Sequence, residues 1–565
     1  TRKSDGVGDA FEVKLPLLPD RQMERFGYSE RVAEGPLKLK ALPEPARPGT
    51  LTQQIVVSGS PGIMELASAL DYLAVYPHGC LEQRMSQLWP TVVQADFLKK
   101  LGFDNEFTPR TASTVRKFLV EFPAHQSDNG LLSFWPGGPG DVQVTAQAVE
   151  FLQAVRRAGV VVDEKVNTRA IEGLKRVLRS DFAGSIADYR LNQQVTALRA
   201  LATVGQLDEH YVSDVYGRRA QMDVVTLAEL ATLMKDRGPF RSMADGARTV
   251  LWDSVIFKLQ RGKQVYSGMK WGRSSWDGMW LWSQPGSLAA VFEALLVLDP
   301  KNARHDLMRD AMVSFATPHN GFGSTYDNRR SLQALGVYLD RAQTPGPRIK
   351  VTLDGGTELV VDEKRKVAMR RVASDGVPAG TVGGGEVGLR VLNTYLPSTN
   401  GDQVKAVKQG FLVNRGSMLI KAEGAVDAPV ADKSGATRVM AVGDILELST
   451  TLVTDEPRHH VALVVPFAAG LEPLNAALQT SGSDAKPSQS DTTTPSYVQR
   501  LDHEARYYFT SLPRGSHSFH FRVRATTEGS YVHPAPWAEQ MYKQEVRGRG
   551  EGMRVVVSGA HEPQP

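Results

Sequence analysis

Cys80 is the single cysteine in a chain of 565 residues, and it stands three positions before Gln83 in the string YPHGCLEQRMSQLWP, residues 76–90. Gly79 precedes it and a helical pattern of apolar residues follows, so both side chains fall in the first turn of an expected helix. Residues i and i+3 share a helix face. A thiol placed there reaches the carboxamide carbon of the glutamine, and attack with loss of ammonia gives an internal thioester. Such a bond is an acyl group held in store. An arriving amine or hydroxyl takes the acyl group of Gln83 and releases the thiol of Cys80. The bond lasts only while water is kept away, and the nearby aromatics Tyr76 and Trp89 are suitable wall material. A bare C-x-x-Q pair is common and by itself favours a buried small side chain beside a polar surface one. The full G-C-L-E-Q string with a helical array behind it favours the chemical reading.

That array runs from about Ile63 to Tyr338. Five stretches resemble one another: TAQAVEFLQAV from Thr145, TALRALATVG from Thr196, TLAELATLM from Thr226, SLAAVFEALLVL from Ser287 and SLQALGVYL from Ser331. Each opens on Ser or Thr, read as an N-cap, with apolar residues at three-to-four spacing. Gly- and aromatic-rich turns precede two of them, NGLLSFWPGG from Asn129 and NGFGSTYDN from Asn320. Repeated helix pairs bury their faces on neighbours, which predicts a curved or closed helical array.

Strand-like sequence lies on both sides. FEVKLPL, residues 11–17, alternates before a Pro-rich connector with Pro43, Pro45 and Pro48. After Pro345-Gly346-Pro347 come RIKVTL from Arg348, GLRVLNTYL from Gly388, DILELSTTLV from Asp444, HHVALVVPF from His459 and SFHFRVRATT from Ser518. Phe519, Phe521 and Val523 share one face, and turn signals between the runs predict one or two β-sandwiches. The Ser/Thr/Asp/Pro-rich stretch Thr480–Ser496 reads as a disordered loop.

GCLEQ at Gly79–Gln83 matches the signature G-C-x-E-Q, and with its lead-in ASALDYLAVYPHGCLEQ from Ala67 the chain resembles the thioester proteins, specifically bacterial α2-macroglobulins. RGSHSFHFRVRATTEGSYVHPAPWAEQMYKQEVRGRG from Arg514 is similar to the family's C-terminal domain. The resemblance covers nearly the whole chain, as the C-terminal portion of a longer member. It implies a multidomain α+β protein: an α/α toroid thioester domain over residues 59–344, inserted in a CUB or macroglobulin-like β domain made of residues 1–58 and 345–403. A macroglobulin-like β-sandwich over residues 404–565 follows. By motif position it implies that Met541 and Tyr542 cover the thioester, with Tyr76 contributing from the thioester domain. It further implies a single-use protease inhibitor that captures target proteases after bait cleavage, and not a turnover enzyme. A periplasmic location is implied, with membrane attachment only through an N-terminal lipid anchor outside this sequence. Peptidoglycan-synthase or other cell-envelope proteins are further partners that the resemblance allows. No cofactor is implied. Neither a bait segment nor upstream macroglobulin domains occur in these residues.

Composition agrees with a soluble globular class: 41% hydrophobic, 23% charged and a formal net charge of +4. That charge is too small to call for nucleic acid. One cysteine excludes an intrachain disulfide framework and a Cys-pair zinc site. The chain begins at Thr1 without Met, and reads as a mature chain or a piece of a larger one. No histidine is placed to direct transfer toward hydroxyls. His125, His210, His319 and His78 all read as surface histidines, and His78 also lies on the wrong side of the motif, so amines are the expected acceptors. His459-His460 and His517/His520 point to opposite faces of strands and make no metal site. The run GTVGGGEVG from Gly380 lacks the Lys-Ser/Thr of a phosphate loop and reads as a turn. Trp271, Trp276, Trp280 and Trp282 read as packing inside the array, with a carbohydrate or peptide platform as the other reading. Two further functions compete: a scaffold module of an envelope complex with a subordinate thioester, and an enzyme on an α/α toroid, for which paired carboxylates and a zinc site are missing.

Overall fold

The computed structural model describes residues 18–60, 62–103, 108–179, 191–271, 283–341, 348–373, 379–474 and 483–559. The FEVKLPL stretch and Trp276, Trp280 and Trp282 lie outside them. The chain is α+β, with helices concentrated between residues 63 and 341 and strands before and after.

The strands on either side of the helices belong together. Val387–Tyr395 pairs antiparallel with Glu24–Val32 on one edge and with Thr52–Ser58 on the other, and Val367–Ala373 completes that sheet. In register, Val391 sits opposite both Tyr28 and Ile55. A second sheet joins Gly35–Lys38, Ala379–Gly383, Ile349–Leu353 and Thr357–Val361. Tyr28, Ile55, Val57, Val351, Leu389 and Val391 fill one core between the two sheets. The chain therefore leaves this sandwich at Ser58 and returns to it at Ile349. The glycine run from Gly380 supplies part of a strand and then Gly384 and Gly385, both at positive φ, in the turn before Val387.

Six helices follow one another as spatial neighbours and close a cycle. Leu81–Val93 packs on Val142–Arg157, then come Leu191–Thr203, Val224–Met234, Gln284–Leu298 and Thr325–Arg341, which returns to Leu81–Val93. Ile63–Val75, Glu164–Val177, Glu209–Gly217, Arg241–Ser254 and His305–Phe315 pack against members of that cycle as a second set. The cycle helices are apolar on several faces, Gln284–Leu298 most of all, because neighbours press on them from both flanks and from the second set. Gln143, Asn192, Val225, Gly286 and Tyr326, each from the first turns of a different helix of the cycle, line one cavity. These helices therefore run the same way, with their N-termini at one mouth.

Three sequence expectations are corrected. The Ser/Thr residues that open the five repeated stretches are not N-caps. The helices begin earlier, and Asp141, Asp223 and Ser283 cap three of them through side-chain bonds to Val144, Thr226 and Gly286. Thr145, Thr226, Ser287 and Ser331 are buried inside the helices, where a small hydroxyl residue permits close helix packing. Second, residues 255–269, within the helical region, form a hairpin of Val255–Gln260 and Lys263–Met269. Its tip is Arg261-Gly262, both at positive φ, the geometry a two-residue turn favours. Third, the described part of the stretch read as disordered is tied down. Ser488 binds Glu447, Asp491 accepts from the His520 amide, and Thr493 meets His517 at 2.7 Å. Polar side chains on strands Ile445–Thr454 and Gly515–Ala525 supply the partners that a polar segment needs to order.

The final region packs a six-stranded, a five-stranded and a three-stranded sheet over one core that includes Phe411, Leu448, Leu463, Val465, Phe519, Phe521 and Val523. Phe519, Phe521 and Val523 do share the inward face.

Candidate functional site

Helix Ile63–Val75 ends where Tyr76 turns extended, and four residues later Cys80 is the N-cap of Leu81–Val93. The Leu81 amide donates to the carbonyl of Phe134 at 2.9 Å, fixing this start against the SFWPGG turn. Cys80 and Gln83 are both fully buried in the first turn. The carboxamide of Gln83 makes no hydrogen bond of ordinary geometry; the Tyr76 hydroxyl lies beside it without meeting that geometry. An orphaned buried amide costs about 1–3 kcal/mol. Desolvation pushes the Cys80 thiol up to about 12, with the Glu82 carboxylate adding to the shift. As a free thiol it is inert.

The cover comes from the far end of the chain. Strands Trp537–Gln540 and Lys543–Arg549 form a hairpin with Gln540 opposite Lys543, so Met541-Tyr542 is its two-residue tip. Hairpin tips are usually polar and exposed. This one is apolar, with Met541 0% and Tyr542 8% exposed, because it is pressed into the apolar cluster that contains Cys80, Leu81, Met85 and Phe134. The Tyr542 hydroxyl lies 3.6 Å from the Cys80 sulfur and donates to Glu82 Oε2 at 2.6 Å. Glu82 Oε1 accepts from Ser86 Oγ at 2.6 Å, and Gln147 Nε2 reaches it at 3.4 Å. The Met541 amide donates to the carbonyl of His460, which holds a positive φ of 51° to present it.

Tyr76 fastens the same hairpin. Its hydroxyl lies 3.1 Å from both Glu539 Oε1 and the Met541 carbonyl. His78 Nε2 is also 3.1 Å from Glu539 Oε1, and the His78 ring packs between Trp537 and Tyr508. Trp135 stacks on Tyr508 at 4.2 Å and on Tyr497 at 5.5 Å, closing another side of the seam. Cys80, Gln83, Tyr76, Met541 and Tyr542 are thus brought together. Trp89 shares the apolar cluster, but its ring neighbours are Phe151 and the Arg329 guanidinium, more than two turns along the helix.

Sequence reasoning missed His78, Trp135, His460, Tyr508 and Glu539. Trp135 sits in a turn flagged for its aromatics, and that was the available signal. Two histidine readings are corrected. His78 is 2% exposed, and His125 is 4% exposed with Nδ1 3.1 Å from the Ser133 carbonyl, so neither lies on the surface. Burial lowers the His125 pKa, as it does that of half-buried His319. His210 is exposed. Trp271 packs against the helical core. Among the described residues no group of three His, Cys, Asp or Glu side chains could hold a metal ion, and no helix is long and apolar enough to cross a membrane.

Comparison with known proteins defines the class first. The Bacterial Alpha-2-macroglobulin MG10 domain family matches residues 410–545. The chain is 24% identical over 586 aligned residues to the Alpha-2-macroglobulin homolog of Nostoc sp., covering 99% of this chain and 29% of the relative. It superposes on the native conformation of Escherichia coli alpha-2-macroglobulin with a TM-score of 0.76 at 19% identity, covering 99% of this chain and 34% of that one. For Salmonella alpha-2-macroglobulin reacted with methylamine the TM-score is 0.75 at 20% identity, covering 96% and 34%. The chain is thus similar in sequence and fold to bacterial alpha-2-macroglobulins, and it spans about a third of the length of these relatives.

Proposed function

We propose that Cys80 and Gln83 form an internal thioester, and that the chain is the thioester-bearing portion of a protease-trapping inhibitor. The observation that carries this reading is the fully buried Cys80–Gln83 pair in one helical turn, beneath an apolar hairpin tip supplied by the terminal β region. The orphaned carboxamide of Gln83 supports it: loss of ammonia removes the two N–H donors that have no partner in that pocket. Tyr76, Met541 and Tyr542 act as the water shield. Capture consists of acyl transfer from Gln83 to an amine of the attacking protease once the tip withdraws, with release of the Cys80 thiol. Each copy reacts once, so the protein is an inhibitor and not a turnover enzyme.

In this reading the helical cycle is the α/α toroid of residues 59–344. It is inserted in a CUB or macroglobulin-like sandwich of residues 1–58 and 345–403, and residues 404–565 are the terminal macroglobulin-like domain. The strand pairing across the helical segment supports the insertion. The bait and the domains that sense its cleavage belong to the rest of the full-length protein, as does any lipid anchor at the periplasmic membrane.

Intact mass tests the reading. The protein is expected one ammonia lighter than its sequence, and methylamine then adds and frees one thiol per chain. Cys80→Ala abolishes both changes. A full sequence mass with a free thiol from the outset overturns the thioester.

A further inference from the structure

We propose that Tyr542 and Glu82 form a proton relay that makes the Cys80–Gln83 thioester, so that the bond closes rapidly only after the terminal β region has docked. This rests on the thioester reading above and assigns to two residues the step that creates the bond.

The argument starts from one hydroxyl proton. Tyr542 Oη donates to Glu82 Oε2 at 2.6 Å. With that proton directed to the carboxylate, the phenol oxygen faces the Cys80 sulfur, 3.6 Å away, as an acceptor. The thiol is then the donor, and sulfur, phenol and carboxylate form a directed chain. A chain of this kind is needed because the thiol is walled from water and has no solvent base within reach. Two neighbours fix the Glu82 carboxylate in its orientation. Ser86 Oγ donates to its other oxygen at 2.6 Å, and Gln147 Nε2 bonds Ser86 Oγ at 3.2 Å from the neighbouring helix.

The step balances without a co-reactant. The thiol proton passes to the Tyr542 oxygen as the phenol proton passes to Glu82. The sulfur forms its bond to Cδ of Gln83, and the Cδ–Nε2 bond breaks. The proton taken up by Glu82 goes to the departing nitrogen, which leaves as ammonia, and the carboxylate and phenol end as they began. Glu82 lies in the helix that carries the thioester pair, whereas Tyr542 lies at the tip of a hairpin 460 residues further along the chain. The relay therefore exists only in the docked state. A chain whose shield is not yet seated makes the reactive bond only by the slow solvent route, and withdrawal of the tip at activation removes the relay along with the shield.

The test follows ammonia loss by intact mass during cell-free synthesis of the full-length protein, in wild type, Tyr542→Phe and Glu82→Gln. Tyr542→Phe keeps the ring that fills the pocket and removes only the hydroxyl. Both variants are expected to form the bond about a hundredfold more slowly. Their rates should rise about tenfold per pH unit over roughly pH 6 to 8, as hydroxide deprotonates the thiol in chains whose tip has not yet seated, while the wild-type rate stays flat. A purely structural role would slow the reaction without changing that slope. Wild-type rates with a flat profile in both variants overturn the relay and leave the thioester standing. Wild-type protein that never loses ammonia overturns the thioester reading itself.

Discussion

Two buried polar clusters meet at the N-terminal mouth of the helical cycle and handle desolvation in opposite ways. Inside the cavity, carboxylates are paired with guanidiniums. Glu229 Oε1 binds Arg199 at 2.8 Å and Arg330 at 3.1 Å, and Glu150 lies 3.7 Å from Arg199. Burial alone would raise the Glu229 carboxyl, and the two guanidiniums overcome this and hold it below its ordinary value. At the rim, one helix away, groups are left short. Gln83 has no partner for either amide atom, and Glu82 is held by hydroxyls and an amide. Gln147 touches both clusters, lining the cavity and reaching Glu82. The contrast separates two roles. Paired charges hold the helices in register, whereas an unmatched carboxamide marks the site where the proposed thioester would form.

The largest expected effect breaks the paired cluster. Glu229→Ala leaves Arg199 and Arg330 facing each other without their shared carboxylate. Removing one partner of a buried ion pair costs about 3–5 kcal/mol, and denaturant unfolding should read a loss of that size. An equal loss in Glu121→Ala, whose carboxylate is exposed, would make the cavity pair no different from a surface one.

Gln83→Met probes the unmatched cluster with the sign reversed. It keeps the volume, removes both orphaned polar atoms and forbids the thioester. Measured against Cys80→Ala, in which the carboxamide also stays unreacted, Gln83→Met should be the more stable by about 1–3 kcal/mol. Equal or lower stability would mean that the amide is satisfied in solution.

The placement of Cys80 and Gln83 in one buried helical turn was legible because it is local: the string that puts them there is short and contiguous. The broad order of strands, helices and strands was legible for the same reason, from periodicity within each run. The rest depends on contacts distant in sequence. Nothing around His78 announces that Glu539 and Trp537 enclose it, and the surface reading of His125 fails because the turn that follows folds the Ser133 carbonyl back onto its ring. The caps were misplaced because Thr145 and Ser331 look like caps, while Asp141 cannot be told from any loop aspartate until the helix start is seen. The Met541-Tyr542 tip shows this limit most clearly, since an apolar hairpin turn makes sense only once the pocket over Cys80 is known.

The smallest effect concerns how the tip is held. The His460 ring packs against Phe134 at 4.9 Å and Tyr542 at 5.3 Å, and burial, with His459 nearby, drives its pKa from 6.5 down to about 3. The folded seam therefore keeps this imidazole neutral where the unfolded chain would protonate it. The sign follows from proton counting. Above pH 6.5 neither state binds the proton and His460 adds no pH dependence. As pH falls from 6.5 toward 3, the unfolded chain binds a proton that the fold refuses, and stability is lost. By about pH 5.5 the loss is about 1.4 kcal/mol. Thermal unfolding of the wild type should steepen in its pH dependence below 6.5, and His460→Gln, which stays neutral throughout, should remove that part of the slope. Parallel curves for the two proteins would place the acid sensitivity of the seam on other groups. If the proposed thioester is present, a loss confined to this seam would also appear as faster methylamine uptake before global unfolding, because Tyr542 leaves Cys80 when the hairpin tip lifts.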